Sequence, residues 1–271
     1  MKLLKYSEDR IPVLILFTYF ALDLVVYLTA RSWWVPLLWF GIGIIPKGWI
    51  SAWNHHQQHV PMFRHNVMNR VFEMGLGLQT GVVGNAWVLH HVLGHHLNYL
   101  DQTKDESRWK TLDGRVMGEL EYTFVTTWTA YPRLVKVGLR HRKHLWPFVY
   151  MAALTVAALA LLFTHNWYNA LFVYLLPMLV SFHLVVWATW FHHRDRDTQD
   201  VFAASNNILD PWYNIATGNL GYHTAHHYRQ ALHWSKLPTL HAEISDKIPL
   251  YCYQDPGAPF TWIRAWRKRR G

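Results

Sequence analysis

Apolar residues in this chain fall in long blocks rather than in the short alternation of a soluble fold. A helix crossing a bilayer core needs about 20 mainly apolar residues. Four blocks reach that length, at about 11–30, 33–53, 146–163 and 167–190. Asp23 interrupts the first, and Lys47 lies near the far end of the second. Tryptophans stand at the block ends, where amphipathic rings favour the membrane–water boundary. No small-residue cleavage site follows the first block, so it reads as a span and not as a cleavable leader. A chain of 271 residues is too short to wrap four such helices in a soluble core. The pattern predicts an all-α integral membrane protein with four transmembrane helices.

Two links between blocks are very short, Arg31–Ser32 and Thr164–Asn166. They predict two helical hairpins with both tips on one side. Of the 26 basic residues, all but Arg31 and Lys47 then fall on the opposite side. By the positive-inside rule that side is the cytosol. The chain is expected to be one multi-pass domain over 1–271, with both termini and a helical cytosolic cap at 54–145 and 191–271. Within the cap, Val71 to Leu89 is apolar and glycine-rich, and reads as one helix lying on or dipping into the interface. A second interfacial helix is expected at about 117–137. The excess of basic over acidic residues, nine in all, suits anionic headgroups or an acidic protein partner. It needs no nucleic acid. With a single cysteine, Cys252, there is no disulfide and no zinc-ribbon ligand set within the chain.

Composition changes the picture through histidine, of which there are 19. Most lie in clusters: His55-His56-Gln57-Gln58-His59, His90-His91-Val92-Leu93-Gly94-His95-His96, His223-Thr224-Ala225-His226-His227, and the pair His192-His193. Residues three or four apart share a helix face. His55 with His59, His91 with His95, and His223 with His226 and His227 are spaced to grip one ion each. His96 and His227, about 100° further round, reach toward a second. His55, His59, His91, His95, His96, His193, His223, His226 and His227 make nine candidate ligands, too many for one six-coordinate ion. All lie on the side that the charges assign to the cytosol. Imidazole suits zinc, copper, iron and nickel alike. Spacing does not assign roles to His56, His90 and His192. His65, His141, His144, His165, His233 and His241 stand alone and read as interfacial or hydrogen-bonded residues, and His183 as a hydrogen-bonding group within the fourth block. Asp101, Asp105, Glu106, Asp195, Asp197 and Asp210 lie close enough in sequence to orient a ligand ring.

Hairpin spans with boxes of the form H-x3-H, H-x3-H-H and H-x2-H-H resemble the integral-membrane fatty acid desaturase and hydroxylase superfamily. The stretch Gly221-Tyr222-His223-Thr224-Ala225-His226-His227, followed by His233-Trp234-Ser235 and Leu237-Pro238, is similar to bacterial members. The resemblance implies two iron ions in a non-haem di-iron centre, O2 as co-substrate, and a fatty acyl or other long-chain substrate. It also implies a separate electron donor of ferredoxin or cytochrome b5 type. Desaturation is the expected reaction, with hydroxylation, alkane-type monooxygenation or terminal-alkene-forming decarboxylation as variants on the same scaffold. The second box has three intervening residues where many desaturases have two, and the family varies at the position that His193 fills. A histidine-rich metal transporter would place its ligands near mid-bilayer, whereas these boxes lie outside the blocks. A zinc protease would show H-E-x-x-H, which this chain lacks.

Overall fold

The computed structural model describes residues 3–258, 260–262 and 265. The fold is all-α, with three helical runs long and apolar enough to cross a membrane: Ser7–Thr29, Trp34–His59 and Arg142–His193. Within the first, α1 spans Arg10–Thr29, and the second is α2, Trp34–His59. The third contains α5, Arg142–Ala170, a π-helical turn at Leu171–Leu175, and α6, Leu176–His193.

These helices turn apolar side chains outward. Ile11, Leu14 and Val25 of α1, Leu38 and Ile42 of α2, and Leu154, Val156 and Leu161 of α5 are more than half exposed. An apolar surface on this scale is tolerated where the surroundings are lipid, and is a liability in water. The three runs make the chain membrane-associated and multi-pass.

The third run is not one rod. Asn166 has non-helical backbone angles, φ −152° and ψ 91°. Phe148 and Met151 of α5 share a hydrophobic core with Phe182 and Val186 of α6. A straight helix would hold Phe148 and Phe182 about 50 Å apart, so the chain folds back at Asn166. Asn166 Oδ1 accepts the amide of Asn169 at 3.1 Å and starts the return helix. The Asn169 side chain donates to the carbonyls of Tyr27 and Ala30 at the first tip, at 2.8 and 3.1 Å. The two tips therefore lie side by side.

Between α2 and α5 the chain forms α3, Asn66–Thr80, a π-helix at Val88–His96, and α4, Glu119–Arg140. The expected single helix over 71–89 is broken. Gly81 ends α3 in a left-handed conformation, φ +71°, and a Cβ there would sit 2.5 Å from the Met178 carbonyl oxygen. The link beyond it is buried, not laid on a surface, with Val82, Val83 and Trp87 in the core. Asn54 of α2 fixes it by donating to Thr80 Oγ1 and to the Val82 carbonyl, and Gln58 accepts the Trp87 amide. The helix expected at 117–137 is α4. It buries Tyr122, Ala130 and Leu134 and exposes Leu120, Phe124, Trp128 and Leu139. After α6 come α7, Pro211–Thr217, α8, His223–Tyr228, and α9, Leu237–Ile244. Asp9 ties this last part to the N-terminal region by accepting from His233 Nε2 and Trp234 Nε1.

Candidate metal centre

Four elements bring histidines to one place. The last turns of α2 carry His55 and His59, the π-helix carries His91, His95 and His96, α6 ends at His193, and α8 carries the third box. The nine candidates form two adjoining groups. In the first, His55, His59, His91, His96 and His226 each offer a ring nitrogen, all within 4.8 Å of one another. His95, His193 and His227 form the second on the same measure. His223 joins it through His193, their Nε2 atoms 3.0 Å apart. The His96 and His227 rings stack across the boundary at 4.2 Å.

The grouping differs from one ion per box. His91 pairs with His96, their Nε2 atoms 3.0 Å apart, while His95 turns to His193 at 3.2 Å. The cause is backbone geometry. A π-helix bonds i to i+5, which displaces the α-helical i+4 neighbour from the shared face. The third box divides as well, His226 going to the first group and His227 to the second.

The electrostatics of the donor set fit metal ions. His91 Nε2 faces His55 Nε2 at 2.8 Å, and His96 Nε2 faces His226 Nε2 at 3.0 Å. A neutral imidazole has one N–H and one lone pair. One Nε2 proton on His96 cannot serve both His91 and His226, so the protein's own protons cannot satisfy the chain of contacts. His59 Nε2 and His227 Nε2 are buried with no hydrogen-bond partner among the described residues. A cation at each convergence satisfies all of these nitrogens together. Burial, and after it the neighbouring histidines, hold the rings of His91, His96, His223, His226 and His227 well below the ordinary histidine range. They are neutral at physiological pH, with lone pairs available.

Of the six acids near the boxes, Asp105 reaches a cluster ring. Its Oδ1 lies 2.7 Å from His95 Nδ1 and also accepts the Ser107 amide. That contact fixes the His95 tautomer and directs Nε2 toward the second group. The others serve elsewhere: Asp101 pairs with Lys104, Asp197 with Lys110, Glu106 lies near Arg140, and Asp210 caps α7. Asp195 sits in a left-handed turn. The three unassigned histidines lie outside both groups. His56 Nε2 bonds the Thr217 carbonyl. His192 bonds Tyr213 OH at 2.8 Å and stacks on His223 at 4.0 Å. His90 stacks on Trp87. His233 bonds Asp9, and His183 bonds the carbonyl of Leu179 on its own helix. Tyr99, whose ring is 4.4 Å from His227, carried no signal in the sequence.

The model of the fatty acid desaturase family matches residues 31–255, which include all nine histidines. The chain belongs to the fatty acid desaturase family. No curated protein and no solved structure matches it. Membership and the histidine groups together make it a desaturase-type oxidoreductase, with a cluster compatible with di-iron catalysis on a lipid substrate.

Proposed function

We propose that this desaturase-family chain is a bacterial-type, four-span membrane enzyme that uses O2 to remove two hydrogens from a long-chain fatty acyl substrate. It holds two irons on the nine named histidines and draws two electrons from a separate ferredoxin or cytochrome b5. The observation that carries this reading is the convergence of nine imidazoles, eight of them buried, into two groups at the ends of α2 and α6. Four spans are supported by the reversal at Asn166 and the joined tips. A cytosolic site is supported by the basic residues on the side opposite those tips.

An unactivated C–H bond offers no acidic proton and no leaving group, so side-chain acid–base chemistry does not break it. Two bound irons would supply the O2-derived oxidising power. The chain's own residues do the rest. His55, His59, His91, His96 and His226 would hold one ion, and His95, His193, His223 and His227 the other. Asp105 holds His95 in register. Burial of every ring except the half-buried His59 keeps bulk water from the ligands, which protects a strong oxidant from side reactions.

The test is expression in a host deficient in desaturation, with iron and a donor supplied, followed by mass spectrometry of lipids and hydrocarbons. New double bonds are expected. New hydroxyl groups would reassign the chain to the hydroxylase branch, and an unchanged profile would refute the oxidase reading.

A further inference from the structure

The two histidine groups are closed on two sides in different ways. Toward the tips, closure is polar. Ser51 lies one turn from His55 on α2, about 6 Å along the axis. Its Oγ is 2.9 Å from Ser181 Oγ of α6, and Ser181 donates to the Lys47 carbonyl at 2.7 Å. One turn further, the buried Lys47 ammonium meets Asp23 of α1 and the Val173 carbonyl, both at 2.9 Å. Trp39 Nε1 donates to Asp23 at 2.8 Å. A hydrocarbon arriving from this side would have to separate buried hydrogen bonds and an ion pair, leaving polar groups orphaned away from water.

On the flank where α7 borders α2 and α6, closure is aromatic. Phe260 of the C-terminal segment is buried, its ring 6.0 Å from that of Trp49 on α2 and 5.3 Å from that of Tyr213 on α7. Gly257 lies against Trp187 of α6. Behind this lid, contact runs to the histidines. Tyr213 bonds His192, His192 stacks on His223, and His223 adjoins His193. Ile215 and Trp262 at the rim are strongly exposed apolar residues, as befits a surface that meets lipid. A hydrocarbon that displaces Phe260 replaces apolar contact with apolar contact.

We propose that the hydrocarbon chain of the substrate reaches the histidine groups sideways from the lipid phase, through the α2–α6–α7 flank that Phe260 closes. This rests on the reading of the substrate as a long-chain lipid. The ligand class is a single unbranched acyl chain, and Phe260, Trp49 and Tyr213 form its threshold. A separate apolar groove supplies a matched control. It measures about 750 Å³, lies between α1, α3 and α5, and is lined by Phe17, Phe20, Met74, Tyr150 and Leu154. It also suits an acyl chain, but α3 stands between it and the histidines.

The test uses the full chain in phosphatidylcholine vesicles with palmitic acid bearing a terminal diazirine, photolysed and mapped by peptide mass spectrometry. Wild type is expected to carry adducts near Trp49 and Tyr213. Phe260→Ala is expected to raise them several-fold, and the larger Phe260→Trp to lower them, with labelling of the α1–α3–α5 groove unchanged in both. If Phe260→Ala does not fold, Trp49→Ala opens the same contact and Phe260→Trp still gives the opposite sign. Flank labelling that ignores residue 260, or that rises equally in the control groove, overturns the proposal. Labelling needs no turnover. Lipid oxidation without the expected labelling therefore refutes the route alone, and labelling without lipid oxidation refutes the enzymatic reading alone.

Discussion

Two buried polar regions sit about two helical turns apart on α2, and they solve opposite problems. At Lys47 every charge has its partner: the ammonium meets Asp23 and a carbonyl, and Asp23 also accepts from Trp39. At the histidine groups nitrogen faces nitrogen, and the Nε2 atoms of His59 and His227 have no hydrogen-bond partner among the described residues. Both regions are costly to bury. The first is ion-paired as folded and ties α1 to α2. The second presents grouped lone pairs that could hold cations. A self-satisfied cluster serves the fold, and an unsatisfied one of matched donors marks a site.

The sharpest way to break this comparison is to remove one ligand from each group. His91→Ala and His95→Ala are each expected to abolish oxidation and to lower bound metal, while circular dichroism stays helical. Either variant keeping full activity and metal would show that its group is a packing cluster.

Next in size is the ion pair. Lys47→Ala leaves a buried carboxylate unpaired and should destabilise the protein by about 3–5 kcal/mol, read by unfolding in detergent. The double change Lys47→Met with Asp23→Leu should restore most of that loss. A Lys47→Ala protein of wild-type stability would remove the contrast.

A smaller effect is expected at Asp105→Asn, which keeps the shape and loses the charge on His95. Metal affinity should fall about 10–100-fold in chelator competition, with fold intact. Unchanged affinity would reduce Asp105 to a loop residue.

The smallest effect per residue is that of pH on the metal-free protein. Unfolded histidines take up protons below about pH 6.5, whereas burial keeps His91, His96, His223, His226 and His227 neutral well below that value. The unfolded state then binds more protons, so stability falls as pH drops below about 6.5, by up to ~1.4 kcal/mol per pH unit for each histidine. A flat profile from pH 7 to 5 would mean that these rings are not buried.

The sequence carried the nine histidines plainly, because clusters of one ligand type beside apolar blocks are visible without a fold. It also placed a short link at Thr164–Asn166, and the backbone is non-helical at Asn166. The sharing of ligands between groups was not legible. His91 and His95 look paired on an α-helix, and nothing local announces the π-helical backbone that parts them. Asp105 was one of six equal acids until tertiary packing brought it to His95. Asp23 and Lys47 were visible as oddities, but their pairing joins separate helices. The break after Thr80 depends on Gly81 meeting the Met178 carbonyl, a contact between segments far apart in the chain.

The most direct measurement is metal analysis of the full chain purified from iron-replete cells. Iron at about two atoms per chain is expected, one for each histidine group, and falling in both His91→Ala and His95→Ala. Zinc alone, or no bound metal in a folded protein, would contradict the di-iron centre.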